Sequence, residues 1–293
     1  MFHANSAPAS QTYYSQRLRL HYLDWGNPAK PTVLLVHGIQ DHCHNWDWTA
    51  EVLKTDYHVV TPDLRGHGDS EWSRGSAYNL LDYVFDIAQL VDQRGLSPCH
   101  IVGHSMGGTV ASLFAGLFPE KTLSLTSIEG VGIYWQNLPQ PGSISTMLRQ
   151  WAQDTRSLAG RIPKRYPDFA SALQRLMTSN PHLSERRAHH LTAHGVNQNE
   201  DGSFSWKFDN YTHSQPSSRL SANDMLELWQ QVNCPALLMN ARQGFEHRIG
   251  QDETASHFKH LTTLNIDQAG HWLHHDQFDQ FIQELKRFLA NST

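Results

Sequence analysis

A serine lies between two glycines in the segment Gly103-His104-Ser105-Met106-Gly107, which has the spacing of a very tight turn. An apolar strand pattern precedes it at residues 100–102, and a helix of small residues follows at 107–118. The glycines allow the strand and the helix to approach closely, so the Ser105 hydroxyl is lifted clear of the sheet. The Met106 N–H then lies at a helix N-terminus, where it can stabilise developing negative charge. We therefore predict Ser105 as a nucleophile and Met106 as an oxyanion donor.

A serine hydroxyl is a weak nucleophile at neutral pH and needs a general base. His271 follows the strand pattern at 261–266 directly, in a Gly-His turn near the end of the chain. That chain order, serine first and histidine last, fits nucleophilic catalysis. His274 and His275 are rivals, but both fall at the start of a predicted helix and are interpreted as structural or surface residues. His271 is the predicted base.

A second oxyanion donor is expected after an earlier strand. The segment His37-Gly38-Ile39-Gln40 follows the apolar run 32–36, and Gly38 allows a sharp turn there. The Ile39 N–H is therefore the predicted partner of the Met106 N–H. The glycine-rich segment 63–70 is interpreted as a fixed loop beside the site, without a catalytic role.

The remaining pattern predicts an α/β fold with a mostly parallel sheet, because strand and helix signals alternate. Strands are predicted at residues 17–23, 32–36, 57–61, 100–102, 123–128, 235–239 and 261–266. Helices of this part are predicted at 80–93, 107–118 and 278–290. Between the two halves, the strand signal fades and amphipathic helices are predicted at 147–159, 169–178 and 184–194. We predict a core domain over 1–132 and 233–293, with a helical cap at 133–232.

These features together resemble the α/β-hydrolase superfamily over nearly the whole chain. The resemblance rests on His37-Gly38 and on the segments 63–70, 103–108 and 270–271. It implies an eight-stranded, mostly parallel sheet flanked by helices, with an inserted helical cap. Five segments are similar to the serine hydrolase-like subgroup, namely 37–41, 128–130, 180–184, 190–195 and 241–244.

The third member of the expected triad departs from the usual pattern of that superfamily. Its acid usually follows the strand after the cap, and that position is Gly244 in this chain. A variant within the superfamily carries the acid at the end of the preceding core strand, where this chain has Glu129. A carboxylate leaving a buried strand needs a partner, and His271 would supply one. Glu129 is the predicted acid, with Glu246 as the alternative. The non-catalytic interpretation of Glu129 is a buried salt bridge or a hydrogen bond to backbone amides.

Six side chains are predicted to contact the substrate: Gln40, His104, Trp135, Met147, Trp151 and Trp272. The three cap residues among them, Trp135, Met147 and Trp151, could equally form the interior of the cap.

The resemblance implies a serine hydrolase whose substrate is poorly defined. Our leading hypothesis is a carboxylesterase-like enzyme that cleaves esters of a small apolar molecule through an acyl-enzyme on Ser105. Epoxide hydrolases of this fold carry Asp at the nucleophile position, and Ser105 argues against that chemistry. The alternatives are hydrolysis of an amide or a lactone, a C–C bond hydrolase, a perhydrolase and a ligand-binding protein without catalysis.

Composition and charge argue against several other classes of function. The net charge is −5 without a concentrated Lys/Arg face, so a nucleic-acid partner is not expected. No apolar run is long enough for a membrane span, and the first residues lack a secretory pattern. Three scattered cysteines indicate no disulfide framework, and a cytoplasmic location is expected. No cofactor is expected, and the histidine-rich segments 42–44 and 189–194 are interpreted as surface or capping residues rather than metal ligands.

Overall fold

A computed structural model describes residues 7–75, 78–132, 144–214, 220–245, 248–251 and 253–292. Its strands are β1 (Ala9–Ser15), β2 (Leu18–Asp24), β3 (Thr32–Val36), β4 (His58–Pro62), β5 (Cys99–His104), β6 (Thr122–Ile128), β7 (Val196–Gln198), β8 (Phe204–Trp206), β9 (Ala236–Ala241) and β10 (Leu261–Ile266). Its α-helices are α1 (Asp47–Leu53), α2 (Leu80–Arg94), α3 (Met106–Leu117), α4 (Ile144–Leu158), α5 (Phe169–Ser179), α6 (Glu185–Gly195), α7 (Ala222–Gln230), α8 (Leu273–Asp276) and α9 (Phe278–Ala290).

Eight strands form one sheet in the order β1-β2-β4-β3-β5-β6-β9-β10. β1 and β2 pair antiparallel at one edge, β2 also pairs antiparallel with β4, and the remaining pairs are parallel. This confirms the predicted mostly parallel, eight-stranded sheet. The sequence did not predict β1, whose residues are mostly polar and exposed, nor the small β7–β8 hairpin.

The sheet is covered on both faces, and the side chains of β3 show why its sequence is a continuous apolar run. Leu34 and Val36 belong to a core shared with α2, α3 and α7, whereas Val33 and Leu35 pack with α1 and α9. Alternate residues of a strand point to opposite faces, so a strand buried on both sides needs apolar residues throughout.

The parallel strands end at the same edge of the sheet, which brings distant segments together. Register pairs Val36 with Gly103 and Gly103 with Ser127, and Ile128 lies opposite Met239. The loops after β3, β5, β6, β9 and β10 therefore begin side by side at this edge. In open α/β sheets, ligands bind at the carboxyl ends of the strands.

The last helix within the predicted cap range packs on the core. Met225 and Trp229 of α7 belong to the core cluster, and a Cβ added to Gly116 of α3 would lie 2.1 Å from the Leu228 carbonyl oxygen. The cap boundary at 133–232 stays a prediction, and the packing of α7 favours an earlier end. No helix in the described ranges has the length and apolar character of a membrane span.

Candidate active site

Ser105 lies at a strained turn between β5 and α3. Its backbone has φ 54° and ψ −121°, a left-handed conformation that a residue with a side chain rarely adopts. The flanking glycines are required by contact: an added Cβ would lie 2.1 Å from the Gly107 carbonyl oxygen at Gly103, and 2.3 Å from the Val36 carbonyl oxygen at Gly107. The predicted tight turn is therefore present, and Ser105 lines a cavity at the end of the sheet.

The two predicted oxyanion donors also line this cavity. Met106 is the first residue of α3, so its N–H has no acceptor within the helix. Ile39 follows Gly38, where an added Cβ would be 3.1 Å from the Ser105 Cβ. The loop after β3 is therefore in close contact with the serine turn.

A buried histidine holds that loop in place. The Leu64 N–H donates to His37 Nε2 at 3.0 Å, so the neutral ring carries its proton on Nδ1, which donates to the Gly38 carbonyl oxygen at 2.7 Å. Burial, together with the nearby His67, lowers the pKa of His37 to about 3. The neutral ring ties the Gly38 turn to the loop after β4.

His271 and Glu129 meet across the carboxyl edge of the sheet. His271 Nδ1 is 3.2 Å from Glu129 Oε2. A carboxylate can only accept, so Nδ1 donates to it and Nε2 of the neutral ring is left as the basic nitrogen. Glu129 is fully buried, and its φ of 51° turns the chain directly after β6.

Glu129 has more partners than the sequence indicated. Its Oε1 accepts from the Ala241 N–H and from Arg248 Nη1, both at 2.6 Å, and its Oε2 accepts from the Phe245 N–H at 3.3 Å. Arg248 is 5% exposed, so this ion pair is buried. The non-catalytic interpretation of Glu129 as part of a buried salt bridge is therefore also present in the structure, and Oε2 is shared between His271 and the Phe245 N–H.

Gly244 occupies the position where the superfamily usually carries its acid. A Cβ added there would lie 2.1 Å from Glu129 Oε2. The carboxyl group of Glu129 thus fills the space that a side chain at 244 would need. The alternative acid Glu246 lies outside the described residues.

His271 is also positioned by two ring contacts. His104 Nε2 donates to the His271 carbonyl oxygen at 2.8 Å, and the two ring centroids are 4.8 Å apart. Burial, and the proximity of His271, keep the pKa of His104 well below its ordinary value, so the ring is neutral. The Phe245 ring lies 3.9 Å from the His271 ring between centroids.

His274 and His275, the other candidates for the general base, lie in a helix after His271. His274 and His275 are buried in α8, and neither is among the described residues that line the cavity. His274 Nε2 donates to the Asn45 side-chain oxygen at 2.6 Å. Burial lowers the pKa of His274 well below its ordinary value and that of His275 to about 3.

The cavity has a volume of about 370 Å³ and mainly apolar walls. Among the predicted substrate contacts, His104 and Trp272 line it, whereas Gln40, Met147 and Trp151 are not among its described lining residues. Trp135 lies outside the described residues. Sequence reasoning missed several lining side chains contributed by separate loops and helices: Tyr78, Thr109, Val131, Leu220, Met225 and Phe245.

Hydrogen bonds to Asp63 hold the loop that follows β4 in place. Asp63 accepts from the Cys43 N–H at 2.7 Å, the Asp69 N–H at 2.9 Å and His21 Nδ1 at 2.7 Å. Burial opposes ionisation, but the His21 hydrogen bond and charge hold the pKa of Asp63 well below its ordinary value. A Cβ at Gly68 would lie 2.2 Å from this carboxyl group.

Comparison with known proteins agrees with this fold. The sequence pattern of the α/β hydrolase fold family matches residues 31–278. Epoxide hydrolase 4 of Mus musculus is 29% identical over 94% of this chain and 77% of its own length. A serine hydrolase-like protein of Danio rerio is 28% identical over 75% of this chain and 68% of its own length.

Among solved structures, a thioesterase domain from the curacin biosynthetic pathway has a TM-score of 0.82 at 23% identity. The superposition covers 95% of this chain and 99% of that domain, which shows a shared fold. Because the family pattern spans most of the sequence and the sheet has the corresponding strand order, the chain belongs to the α/β-hydrolase family, close to the serine hydrolase-like subgroup.

Proposed function

We propose that the protein hydrolyses carboxylic esters of small, apolar molecules through an acyl-enzyme on Ser105. One observation carries this proposal: a serine on a strained turn, a histidine paired with a buried carboxylate, and two predicted oxyanion amides all adjoin a single apolar cavity. The volume of about 370 Å³ lies at the small end of ligand pockets, about 300–1,000 Å³, which supports a small substrate.

The mechanism begins with attack of Ser105 Oγ on the ester carbonyl carbon while His271 Nε2 takes the hydroxyl proton. The carbonyl oxygen becomes an oxyanion and accepts hydrogen bonds from the Ile39 and Met106 amides. Glu129 stabilises the imidazolium through Nδ1. His271 then protonates the departing alkoxide, and the alcohol leaves an acyl group on Ser105.

The second half returns the free enzyme. His271 deprotonates a water molecule as that water attacks the acyl carbon, and the same two amides hold the second oxyanion. His271 returns its proton to Ser105 Oγ as the acyl–oxygen bond breaks, and the carboxylic acid leaves. One oxyanion donor contributes about 100- to 1,000-fold to turnover in such sites.

Epoxide hydrolysis, the activity in the name of one relative, fits this site poorly. Attack of a carboxylate on an epoxide gives an ester, which water can then hydrolyse. Attack of Ser105 would give an ether, which the same water and base could not cleave. The nucleophile type therefore favours acyl transfer.

The test combines a covalent probe with a substrate series. A fluorophosphonate probe is expected to label the folded wild type at Ser105 and to leave Ser105→Ala unlabelled. Among p-nitrophenyl esters, short and medium acyl chains are expected to exceed the palmitoyl ester in kcat/KM. A folded wild type that is neither labelled nor active on any ester would reject the proposal and favour a binding role.

A further inference from the structure

A cluster of four metal-binding side chain types lies between the core and the cap, separate from the candidate active site. His44 and Asp47 come from the turn that begins α1, and His190 and His194 come from α6. One potential ligand atom from each lies within 4.8 Å of all the others. Each sequence segment alone offered too few ligands, which is why the sequence predicted no metal here.

Chain spacing explains the convergence. His190 and His194 are four residues apart on one helix, so they share a face. His44 lies in the 3-10 turn that precedes α1, and Asp47, three residues later, is the first residue of α1. The His44 and His194 rings stack at 3.7 Å between centroids, across the core–cap contact.

The carboxylate of Asp47 already accepts hydrogen bonds from two of the histidine rings. Its Oδ2 accepts from His44 Nδ1 and from His190 Nε2, both at 2.9 Å. Its Oδ1 is buried and has no hydrogen-bond partner among the described residues. A buried, unpartnered carboxylate oxygen is costly, and a cation beside it would satisfy it.

The cluster is accessible as well as convergent. The side chains of His44, Asp47 and His190 are 20%, 18% and 29% exposed, so an ion can enter from solvent. Nitrogen and carboxylate donors in a set of four suit Zn²⁺, which favours tetrahedral coordination. Ca²⁺ and Mg²⁺ prefer sites built from oxygen.

We propose that His44, Asp47, His190 and His194 bind one Zn²⁺ ion that links α6 of the cap to the start of α1. The ion replaces the hydrogen bonds that His44 Nδ1 and His190 Nε2 donate to Asp47. Each of these nitrogens then binds the ion, and each ring carries its proton on its other nitrogen. The same contact already contains a hydrogen bond of 2.9 Å from His42 Nε2 to the Leu191 carbonyl oxygen. The metal therefore strengthens an existing core–cap contact.

A second cluster, His21, Cys43 and Asp63, does not carry the same argument. It offers three side chains rather than four, and all are buried. Both oxygens of Asp63 already accept hydrogen bonds from amides or from His21. This group is satisfied without an ion.

The test uses the untagged, chelator-treated protein with Zn²⁺ in calorimetry and with Co²⁺ in absorption spectroscopy. We expect one equivalent of Zn²⁺ per chain, a raised Tm, and the strong visible bands of tetrahedral Co²⁺. His190→Ala and Asp47→Ala should weaken Zn²⁺ binding at least about 100-fold, because loss of supporting partners alone costs about 10- to 100-fold.

The matched control is His189→Ala, which removes an exposed histidine from the same helix and should bind Zn²⁺ as the wild type does. His190→Gln keeps the side-chain volume if the alanine variant does not fold. No Zn²⁺ binding by the wild type, or equal binding by the His190 and His189 variants, would overturn the proposal. Both readouts are independent of ester hydrolysis.

Discussion

Two regions of the molecule combine a serine with a histidine that is paired with a carboxylate, and only one of the two serines lines the cavity. One region, here called the edge array, lies at the antiparallel β1–β2 side of the sheet. There, Ser10 Oγ is 2.9 Å from His21 Nε2, and His21 Nδ1 is 2.7 Å from Asp63 Oδ2. By distance, this edge array is a better hydrogen-bonded chain than the pair of His271 and Glu129 at 3.2 Å.

The surroundings of the two serines differ. Ser10 is an exposed residue of the edge strand β1, outside the set of described residues that line the cavity. Ser105 is 4% exposed, strained, followed by a helix N-terminus and open to the cavity. A hydrogen-bonded triad is therefore insufficient for nucleophilic catalysis, which also needs oxyanion donors and space for the substrate.

The largest expected effect separates the two serines. Ser105→Ala should lower kcat for p-nitrophenyl acetate by about 10⁴-fold or more, because the proposed nucleophile is lost. Ser10→Ala should leave kcat unchanged, because its hydroxyl is outside the cavity. Steady-state kinetics on both purified variants makes the comparison. A large loss in Ser10→Ala would transfer the catalytic role to the edge array.

The next effect separates the two carboxylates. Glu129→Gln should lower kcat by about 10²- to 10⁴-fold, because an amide cannot stabilise the His271 imidazolium or fix its tautomer. Asp63→Asn should change kcat by no more than a few-fold. It should instead lower the free energy of unfolding by about 1.5–3 kcal/mol, since hydrogen bonds to a charged group are weakened.

Kinetics and urea denaturation on the same preparations distinguish these outcomes. Glu246→Gln is the control for the alternative acid and should retain wild-type turnover. Wild-type kcat in Glu129→Gln would reject the assignment of the acid.

The smallest expected effect concerns a histidine with no acid partner. Both ring nitrogens of His275 are buried without a hydrogen bond in the described structure, and burial lowers its pKa to about 3. Arg187, His190 and His42 add unfavourable charge around it. Below pH 6.5 the His275 ring is protonated in the unfolded chain but stays neutral in the native protein. The free energy of unfolding therefore falls as the pH falls, by about 1.4 kcal/mol per pH unit for one group.

His275→Phe should therefore reduce the loss of unfolding free energy between pH 7 and pH 5 by about 2 kcal/mol. Urea denaturation at the two pH values measures it, with the exposed His189→Phe as a control that keeps the wild-type dependence. An unchanged pH dependence in His275→Phe would show that this ring does not control acid stability.

Sequence was informative where the pattern is local. The strand–turn–helix around Ser105 was predicted from a few neighbouring residues. His271 was predicted from its place after the last strand, and Glu129 from the resemblance to the superfamily together with its place after β6. Element bounds were also close, and β3, β10 and α9 match their predicted ranges. Edge strand β1 was missed because only one side of a polar strand packs on the protein.

Sequence was uninformative where partners are far apart in the chain. Arg248 meets Glu129 across 119 residues, and His190 meets Asp47 across 143. Gln40 has a left-handed φ of 60°, and it is not among the described residues that line the cavity, although Ile39 beside it is. Residue spacing in the sequence predicts neither these long-range pairs nor which side chains of a loop line the cavity.

The close approach of Gly244 to Glu129 has an evolutionary consequence. In this structure a side chain at 244 would occupy the volume of the Glu129 carboxyl group, so an acid at 244 would require Glu129 to move or to be replaced. Stepwise exchange between the two positions of the acid would pass through an ancestor with a crowded loop or with no acid at all. We therefore expect the location of the acid to be inherited as a unit with residue 244, and to divide descendants into separate lineages.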